Sequence, residues 1–507
     1  MGLMERLFAR TGKIAWGVHP DERKRPVADL PLARLPLPRR LFLPLQQHIG
    51  SAARPVVQVG QQVAKGQLLA AAHGEFSAPL HAPTSGRVAA IEDITAPHPS
   101  GLPCPAIVLE ADGEDRWGER LPTCDDPFKL SPGEIARRVA DAGIVGLGGA
   151  SFPSAVKLAL SQRSAVATLI INGGECEPYL SCDDRLMRDF ADEVVDGVRI
   201  VLYAVGASRA LVGIEDNKPE ALAAMREAAK PFASIEIHAV PARYPMGSEK
   251  QLIQTLTGKE VPAKGRPADV GVLVHNVGTA RAVHRALRHG EPLIERIVTV
   301  NGGALERRGN LLVPIGALVE DLLAFCKLAF APQRSLARLV MGGPMMGSLL
   351  PHARVPVVKG TSGVLALTAD ELPAITPGPC IRCGYCSKVC PMGLLPLEIA
   401  ARVHAGELTA AETCGLTDCM GCGCCAYVCT AHIPLTQYFQ HAKGELAAQQ
   451  RIKLRQQHGK RLATARAERL AREAKEKAAI AAARKAARNA AKAAAAAQAV
   501  ASEEASA

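Results

Sequence analysis

Cys380-Ile-Arg-Cys383-Gly-Tyr-Cys386-Ser-Lys-Val-Cys390-Pro391 sets a pattern that returns as Cys419-Met-Gly-Cys422-Gly-Cys-Cys425-Ala-Tyr-Val-Cys429. Each stretch reads C-x2-C-x2-C-x3-C, the spacing that wraps a cubane [4Fe–4S] cluster. The physical basis is reach. Three thiolates at i, i+3 and i+6 on a tight loop converge on three corners of one cube, while the fourth, leaving on a helix, points away. Zinc sites pair cysteines across a knuckle and do not place three in seven residues. A disulfide framework needs an oxidising compartment, and nothing in the sequence directs the chain to one. Cys414 and Cys424 break the spacing and read as ordinary buried thiols. Thr430 follows the second run where Pro391 follows the first, which weakens the exit turn without touching the ligand set.

The doubled run resembles bacterial two-cluster ferredoxins, in which the fourth cysteine of each run ligates the other cluster. That resemblance assigns Cys380, Cys383, Cys386 and Cys429 to one [4Fe–4S] cluster. Cys390, Cys419, Cys422 and Cys425 would hold the other.

At 507 residues the chain is too long for one core and should divide into roughly three to five units. It is 48% hydrophobic with only 4% aromatic residues, which suits aliphatic α/β packing. The N-terminus lacks an apolar h-region and cleavage site, and Arg6 stands where myristoylation needs Ser or Thr. No apolar run is long enough to span a bilayer, so a cytosolic or peripheral protein is expected. The net charge of +11 is unevenly distributed. From Arg451 onward fourteen Lys or Arg face five Glu, so the tail carries +9 and the body is nearly neutral. No groove-reading element accompanies that charge, and nucleic-acid binding is not expected.

The expected architecture is multidomain α/β. Residues 1–42, rich in Pro, Arg and Leu, read as a segment wrapping the body. Residues 43–115 alternate short β-runs with turns and resemble the barrel-sandwich hybrid of biotinyl and lipoyl carriers. The hairpin AAAHGEFSAPLHAP has no lysine to carry a cofactor, so only the scaffold is expected. Over 130–290 strands alternate with helices as in a flavin/nucleotide-binding α/β domain, with Ser131 as N-cap and Glu134 three residues on. Residues 291–340 resemble a small β-grasp ligand-binding module. An α-helical double-cluster ferredoxin domain is expected at 365–445, with one helix over Leu397–Ala411. The Ala/Lys/Arg-rich tail, 446–507, reads as a helical or disordered appendage.

The loop Gly146-Leu-Gly148-Gly149-Ala-Ser-Phe152-Pro could cradle a phosphate on its amides, since glycine lets backbone approach closely. It lacks the Rossmann spacing: no acidic residue ends a strand about twenty residues on. Gly146–Lys157, Asn172–Pro178, Tyr244–Leu252 and Asn276–Thr279 resemble the flavin- and NADH-binding subunit of respiratory complex I. With its domain order, residues 15–445 resemble the C subunit of the Rnf (Rsx) ion-translocating electron-transport complex.

That resemblance implies FMN on Gly146, Gly148 and Gly149, with Lys157 near its phosphate and Asn172 and Glu175 along the flavin. Glu177 and Glu249 would face the nucleotide, and Phe152 would be a stacking ring. Val145 and Leu147 replace two arginines of complex I, and Met246-Gly247-Ser248-Glu249 replaces its C-G-E-E. These changes bear on nucleotide affinity more than on fold. The implied function is electron transfer among NAD(H), FMN and two [4Fe–4S] clusters. It implies a peripheral protein on the cytoplasmic side of the inner membrane, with membrane-embedded partner subunits and, indirectly, ferredoxin. A soluble NADH-dependent diaphorase-type flavoprotein, or an electron wire with a degenerate nucleotide site, would use the same parts. The histidines show no catalytic pairing, and no general acid–base apparatus is expected.

Overall fold

The computed structural model describes residues 16–74, 76–98, 100–149, 151–161, 165–329, 331–372 and 376–504. The first fifteen residues of the expected wrapping segment, Ala150 of the glycine loop and the last three residues of the tail lie outside them.

The barrel-sandwich part is built from two antiparallel sheets. One orders its strands Arg40–Pro44, Pro103–Ala111, Gly86–Thr95 and Gln62–Val63, and the other Arg54–Pro55, Leu68–Ala71 and Leu80–His81. Alternation puts Leu41, Leu43, Leu69, Leu80, Ile107 and Leu109 inside, all essentially inaccessible to water.

The central domain is a four-stranded parallel sheet in the order Ile235–Val240, Arg209–Glu215, Thr168–Gly173, Val272–Asn276. Its strands are apolar on both faces, as parallel strands covered by helices must be. Leu169, Ile171, Val212 and Leu273 point to the face covered by helices Ala191–Val205 and Val277–His289. Ile170, Leu211, Val272 and Val274 point the other way, toward Leu252 and Ile253 of helix Glu249–Thr257. The two covering helices cross in near contact: a Cβ at Gly197 would lie 1.9 Å from the Ala280 carbonyl oxygen. Ser131 caps helix Pro132–Asp141 by accepting from the Glu134 amide at 3.2 Å.

The β-grasp sheet is larger than local pattern suggests. Its order is Ala33–Arg34, Gly309–Pro314, Glu295–Asn301, Gly363–Leu367, Arg338–Met341, Ser348–Leu349. The wrapping segment thus supplies an edge strand. Gly363–Leu367 lies in the middle, parallel to Glu295–Asn301 and antiparallel to Arg338–Met341. The sheet is therefore incomplete at residue 340, and residues 365–367 belong to it and not to the cysteine-rich part. A pairing across some sixty residues leaves no trace in a local window.

Sandwich, α/β and β-grasp parts share one continuous apolar core, whereas the cysteine-rich domain has its own around Ile399, Leu416, Cys425, Leu435 and Phe439. Lys359 ties the first two together. Its buried Nζ donates to the carbonyls of Pro79 and Gly143, each at 2.7 Å, and burial pushes its pKa down to about 7.

Between the cysteine runs the single helix expected over 397–411 is two, Pro396–His404 and Leu408–Thr413, broken where Gly406 takes φ +74°. The last helix, Leu435–Glu504, begins in the cysteine-rich core, where burying Leu435 and Phe439 contributes roughly 2 kcal/mol apiece. Over residues 451–499 it is exposed, and Ile452, Leu454, Leu462, Leu470 and Ile480 form no covered stripe.

Candidate redox site

The glycine loop crosses the C-terminal ends of the central strands. The Gly146 amide donates to the Phe152 carbonyl at 2.8 Å, and the Leu147 amide to Thr279 Oγ1 at 3.0 Å. Gly148 lies against Asn276, where a Cβ would come within 3.3 Å of the asparagine Cβ. Gly149 has φ +104° and, among the described residues, no protein atom within 4 Å of where its Cβ would be. The loop therefore leaves open space above a glycine held in a conformation that other residues rarely adopt. Helix Ser154–Ser161 starts just beyond, and among the described residues its buried Ser154 Oγ has no hydrogen-bond partner. The buried His275 Nε2 is likewise unpartnered. Open glycine backbone at the ends of the parallel strands fits a phosphorylated cofactor such as FMN.

Around this loop Lys157 Nζ donates to the Val274 carbonyl at 3.1 Å and lies 3.7 Å from Glu249 Oε1. Asn172, at the end of its strand, donates to the Gly247 carbonyl at 2.7 Å and accepts from the Gly174 amide at 2.9 Å. Phe152 packs on Phe76 of the sandwich hairpin, ring centroids 5.8 Å apart. The lysine-free hairpin thus reaches the glycine loop through an aromatic contact.

Two carboxylates expected along the flavin and nucleotide are engaged elsewhere. Glu175 is buried and accepts from the Asp183 and Asp184 amides at 2.9 and 3.2 Å, capping the start of helix Cys182–Asp189. Glu177 accepts from the Met345 and Met346 amides at 3.0 and 2.8 Å, and burial pushes its pKa up to about 7. Both sit in a turn organised by Lys24, whose Nζ donates to the carbonyls of Glu175, Glu177 and Leu180 at 2.6–2.8 Å. A lone lysine in a Pro/Arg-rich segment gives no sequence signal for that role.

The two cysteine runs fold as near copies. Gly384 and Gly423, at φ +76° and +82°, precede short helices Tyr385–Lys388 and Cys424–Tyr427. Backbone amides approach equivalent sulfurs at 3.4 Å in both runs: Arg382 to Cys380 and Gly421 to Cys419, Leu394 to Cys390 and Ile433 to Cys429. The runs also interleave. Cys390 lies beside Cys419 and Cys422, and Cys425 beside Cys390, Cys419 and Cys422. Cys383 is 3.8 Å from the hydroxyl of Thr430, next to Cys429. All eight are free thiols. Among the described residues no three such groups close on a single metal ion, but a four-iron cube is much larger and needs its thiols further apart. Burial raises the thiols of Cys386, Cys390 and Cys419, and that of Cys425 to about 12. Bound iron would displace those protons. Of the two spare cysteines, Cys424 is buried as expected, while Cys414 is exposed.

One turn joins the two halves of the site. Tyr244 donates to the Cys422 carbonyl at 2.6 Å, and Gly247 packs on Gly174, where a Cβ would meet the carbonyl oxygen at 2.2 Å. Tyr244, Cys422, Cys424 and Val18 form a buried cluster, with Cys176 and Met345 packed against it. The runs differ in exposure: Cys422 and Cys425 are buried, whereas Cys380 and Cys383 are exposed beside Ile381, 68% accessible.

Comparison with known proteins matches residues 12–114 to the RnfC barrel sandwich hybrid domain, 139–285 to the Nuo51 FMN-binding domain and 379–433 to a 4Fe-4S dicluster domain. The chain is 51% identical over 438 residues to the C subunit of the ion-translocating oxidoreductase complex of Rhodobacter capsulatus, covering 86% of this chain and 84% of that protein. The corresponding protein of Pseudomonas aeruginosa is 48% identical, covering 90% of this chain and 58% of the relative. The C subunit of the proton-translocating ferredoxin:NAD(+) oxidoreductase complex of Clostridium ljungdahlii is 42% identical, covering 85% and 93%. An NAD+-reducing [NiFe]-hydrogenase in the H2-reduced state superposes with a TM-score of 0.43 at 21% identity, over 64% of this chain and 68% of that one. With identities this high over most of its length, this protein belongs to the family formed by the C subunits of ion-translocating oxidoreductase complexes.

Proposed function

We propose that this protein carries electrons between NAD(H) and the partner subunits of a membrane-bound, ion-translocating complex, with ferredoxin an indirect partner. It would do so as a peripheral protein on the cytoplasmic side of the inner membrane; among the described residues no helix is long and apolar enough to cross a membrane. FMN would be held by the loop of Gly146, Gly148 and Gly149, with Lys157 and Asn172 at its sides. A flavin there supplies the change from two-electron hydride exchange to the one-electron transfer that iron–sulfur clusters perform. Phe152 of the loop and Glu249, 3.7 Å from Lys157, are the residues proposed to receive the nicotinamide nucleotide.

The observation that carries this reading is the Tyr244–Gly247 turn. Its glycine touches the strand end that bears Asn172, and its tyrosine bonds the backbone of Cys422. The protein thereby fixes the glycine cradle and the buried cysteine set in one packed unit, without an intervening linker. Cys390, Cys419, Cys422 and Cys425 are proposed to hold the inner cluster. Cys380, Cys383, Cys386 and Cys429 would hold the outer one, with exposed Ile381 and Tyr385 offering a partner an apolar landing beside it.

The test is anaerobic reconstitution of the full chain with iron, sulfide and FMN. Eight irons, a flavin spectrum bleached by NADH and two interacting S = 1/2 signals on reduction are expected. A chain that binds FMN and iron yet is inert to NADH would remove NAD(H) from the reading. Co-purification with membrane proteins tests the partners.

A further inference from the structure

Beside Leu147 of the glycine loop lies a cavity of about 210 Å³ where the sandwich, α/β and β-grasp parts meet. Helix Val277–His289 lends Arg281 and Arg285, the β-grasp strand lends Arg296, the N-terminal edge strand Arg34, and the sandwich Lys65. The lining carboxylates are Glu291 and Glu295, so positive charge is in excess.

Pairing accounts for four of the five cations. Arg281 binds Glu193 at 2.8 Å, Lys65 binds Asp115 at 2.6 Å, Arg34 lies 3.3 Å from Glu295, and Arg285 engages Glu291 and Glu295. Arg296 is different. It is 5% exposed, and no carboxylate among the described residues comes within ion-pair distance. Its bonds are long ones, 3.3–3.4 Å, from Nε and Nη2 to the carbonyls of Thr361 and Leu147. Among the described residues Nη1 makes no bond, and it lies where a Cβ on Gly278, another wall residue, would be 3.4 Å away. The nearest compensating charge is the Asp183 carboxylate, which acts on it from beyond ion-pair distance. A guanidinium stays charged when buried, and one without a directly bonded anion gains when an anion comes to it.

We infer that this interdomain cavity is a second ligand site, taking a small phosphate-bearing anion, separate from the FMN cradle. The forked arginine donors match phosphate oxygens, and a concave site at a domain junction is where small ligands bind. Because Arg296 also holds the Leu147 carbonyl, an anion there would be coupled to the glycine loop and bridge three parts of the fold.

Titration calorimetry of inorganic phosphate and pyrophosphate into the full chain, loaded with FMN and both clusters, tests this. One saturable site per chain is expected, with the flavin retained. Arg34→Glu, at the exposed mouth, should weaken binding roughly tenfold, the loss expected of one charge-assisted contact. Arg296→Met should abolish it, with flavin and iron content reporting that the fold persists; should that variant not fold, Arg34→Glu decides. Absence of saturable heat, displacement of FMN by phosphate, or unchanged affinity in Arg34→Glu would overturn the inference.

Discussion

The Tyr244 hydroxyl donates to the carbonyl oxygen of Cys422 at 2.6 Å, so a residue of the flavin-domain turn grips the backbone of the inner cysteine run. Gln251 reinforces the junction by donating to the Pro391 carbonyl at 2.9 Å. Replacing Tyr244 with Phe keeps the ring and removes the bond. The buried Cys422 carbonyl then loses a donor, worth about 1–3 kcal/mol. Amide exchange over residues 419–425 should quicken by roughly tenfold or more with iron and FMN content unchanged. Unaltered exchange there would mean that the turn does not hold the two halves together.

Cys390 belongs in sequence to the first run and in space to the second. Changing it to Ala should therefore disturb the cluster of Cys419, Cys422 and Cys425 while sparing the one that takes Cys429. EPR of the reduced protein would show one signal altered and the spin–spin interaction gone. If each run instead wrapped its own cube, the same variant would strike the cluster of Cys380, Cys383 and Cys386. Cys429→Ala, tested in parallel, gives the mirror-image result under the crossed arrangement.

The cysteine runs were legible because their chemistry is local: spacing alone brings three thiols onto one loop. The Gly146–Gly149 turn, the Ser131 cap and the alternation of central strands and helices were legible for the same reason. What the sequence hid is what distant segments do to one another. Gly363–Leu367 finds its place only beside strands on both sides of it. Glu175 reads like a ligand-facing acid until the helix it caps is folded next to it. Glu177 reads the same way until the Met341–Gly347 loop closes over it. Lys24, Arg296 and Lys359 are single cations whose importance comes from burial, which no spacing rule reports. Gly406 splits a stretch whose apolar spacing reads as helical throughout, because a turn there also depends on what packs around it.

Gly149 and Gly206 make a matched pair. Both hold positive φ, +104° and +71°, and neither would bring a Cβ within 4 Å of a protein atom among the described residues. Gly206 ends helix Ala191–Val205, away from the loop. Alanine at either position should destabilise the fold by about 1 kcal/mol through backbone strain. Only Gly149→Ala should also weaken FMN binding, because only there is the open space assigned to a ligand. Flavin fluorescence titration of both variants separates strain from occupancy, and equal FMN affinity in the two would place the cofactor elsewhere.

Glu177 supplies a pH dependence whose sign can be worked out. Burial raises its pKa from 4.5 to about 7, although two amides donate to it. The folded chain thus holds this proton more tightly than the unfolded one does. Its stabilising contribution is complete below pH 4.5 and is lost as pH rises through about 7, a change of at most about 3 kcal/mol. Glu177→Gln has no proton to lose and should lack this component. Thermal midpoints of wild type and variant at pH 5 and pH 8 isolate it, since every other titrating group is common to both. The difference should move in the variant's favour at pH 8. A difference that stays flat between the two would show that the carboxyl is ionised throughout and that the Met345–Met346 amides, not burial, govern it.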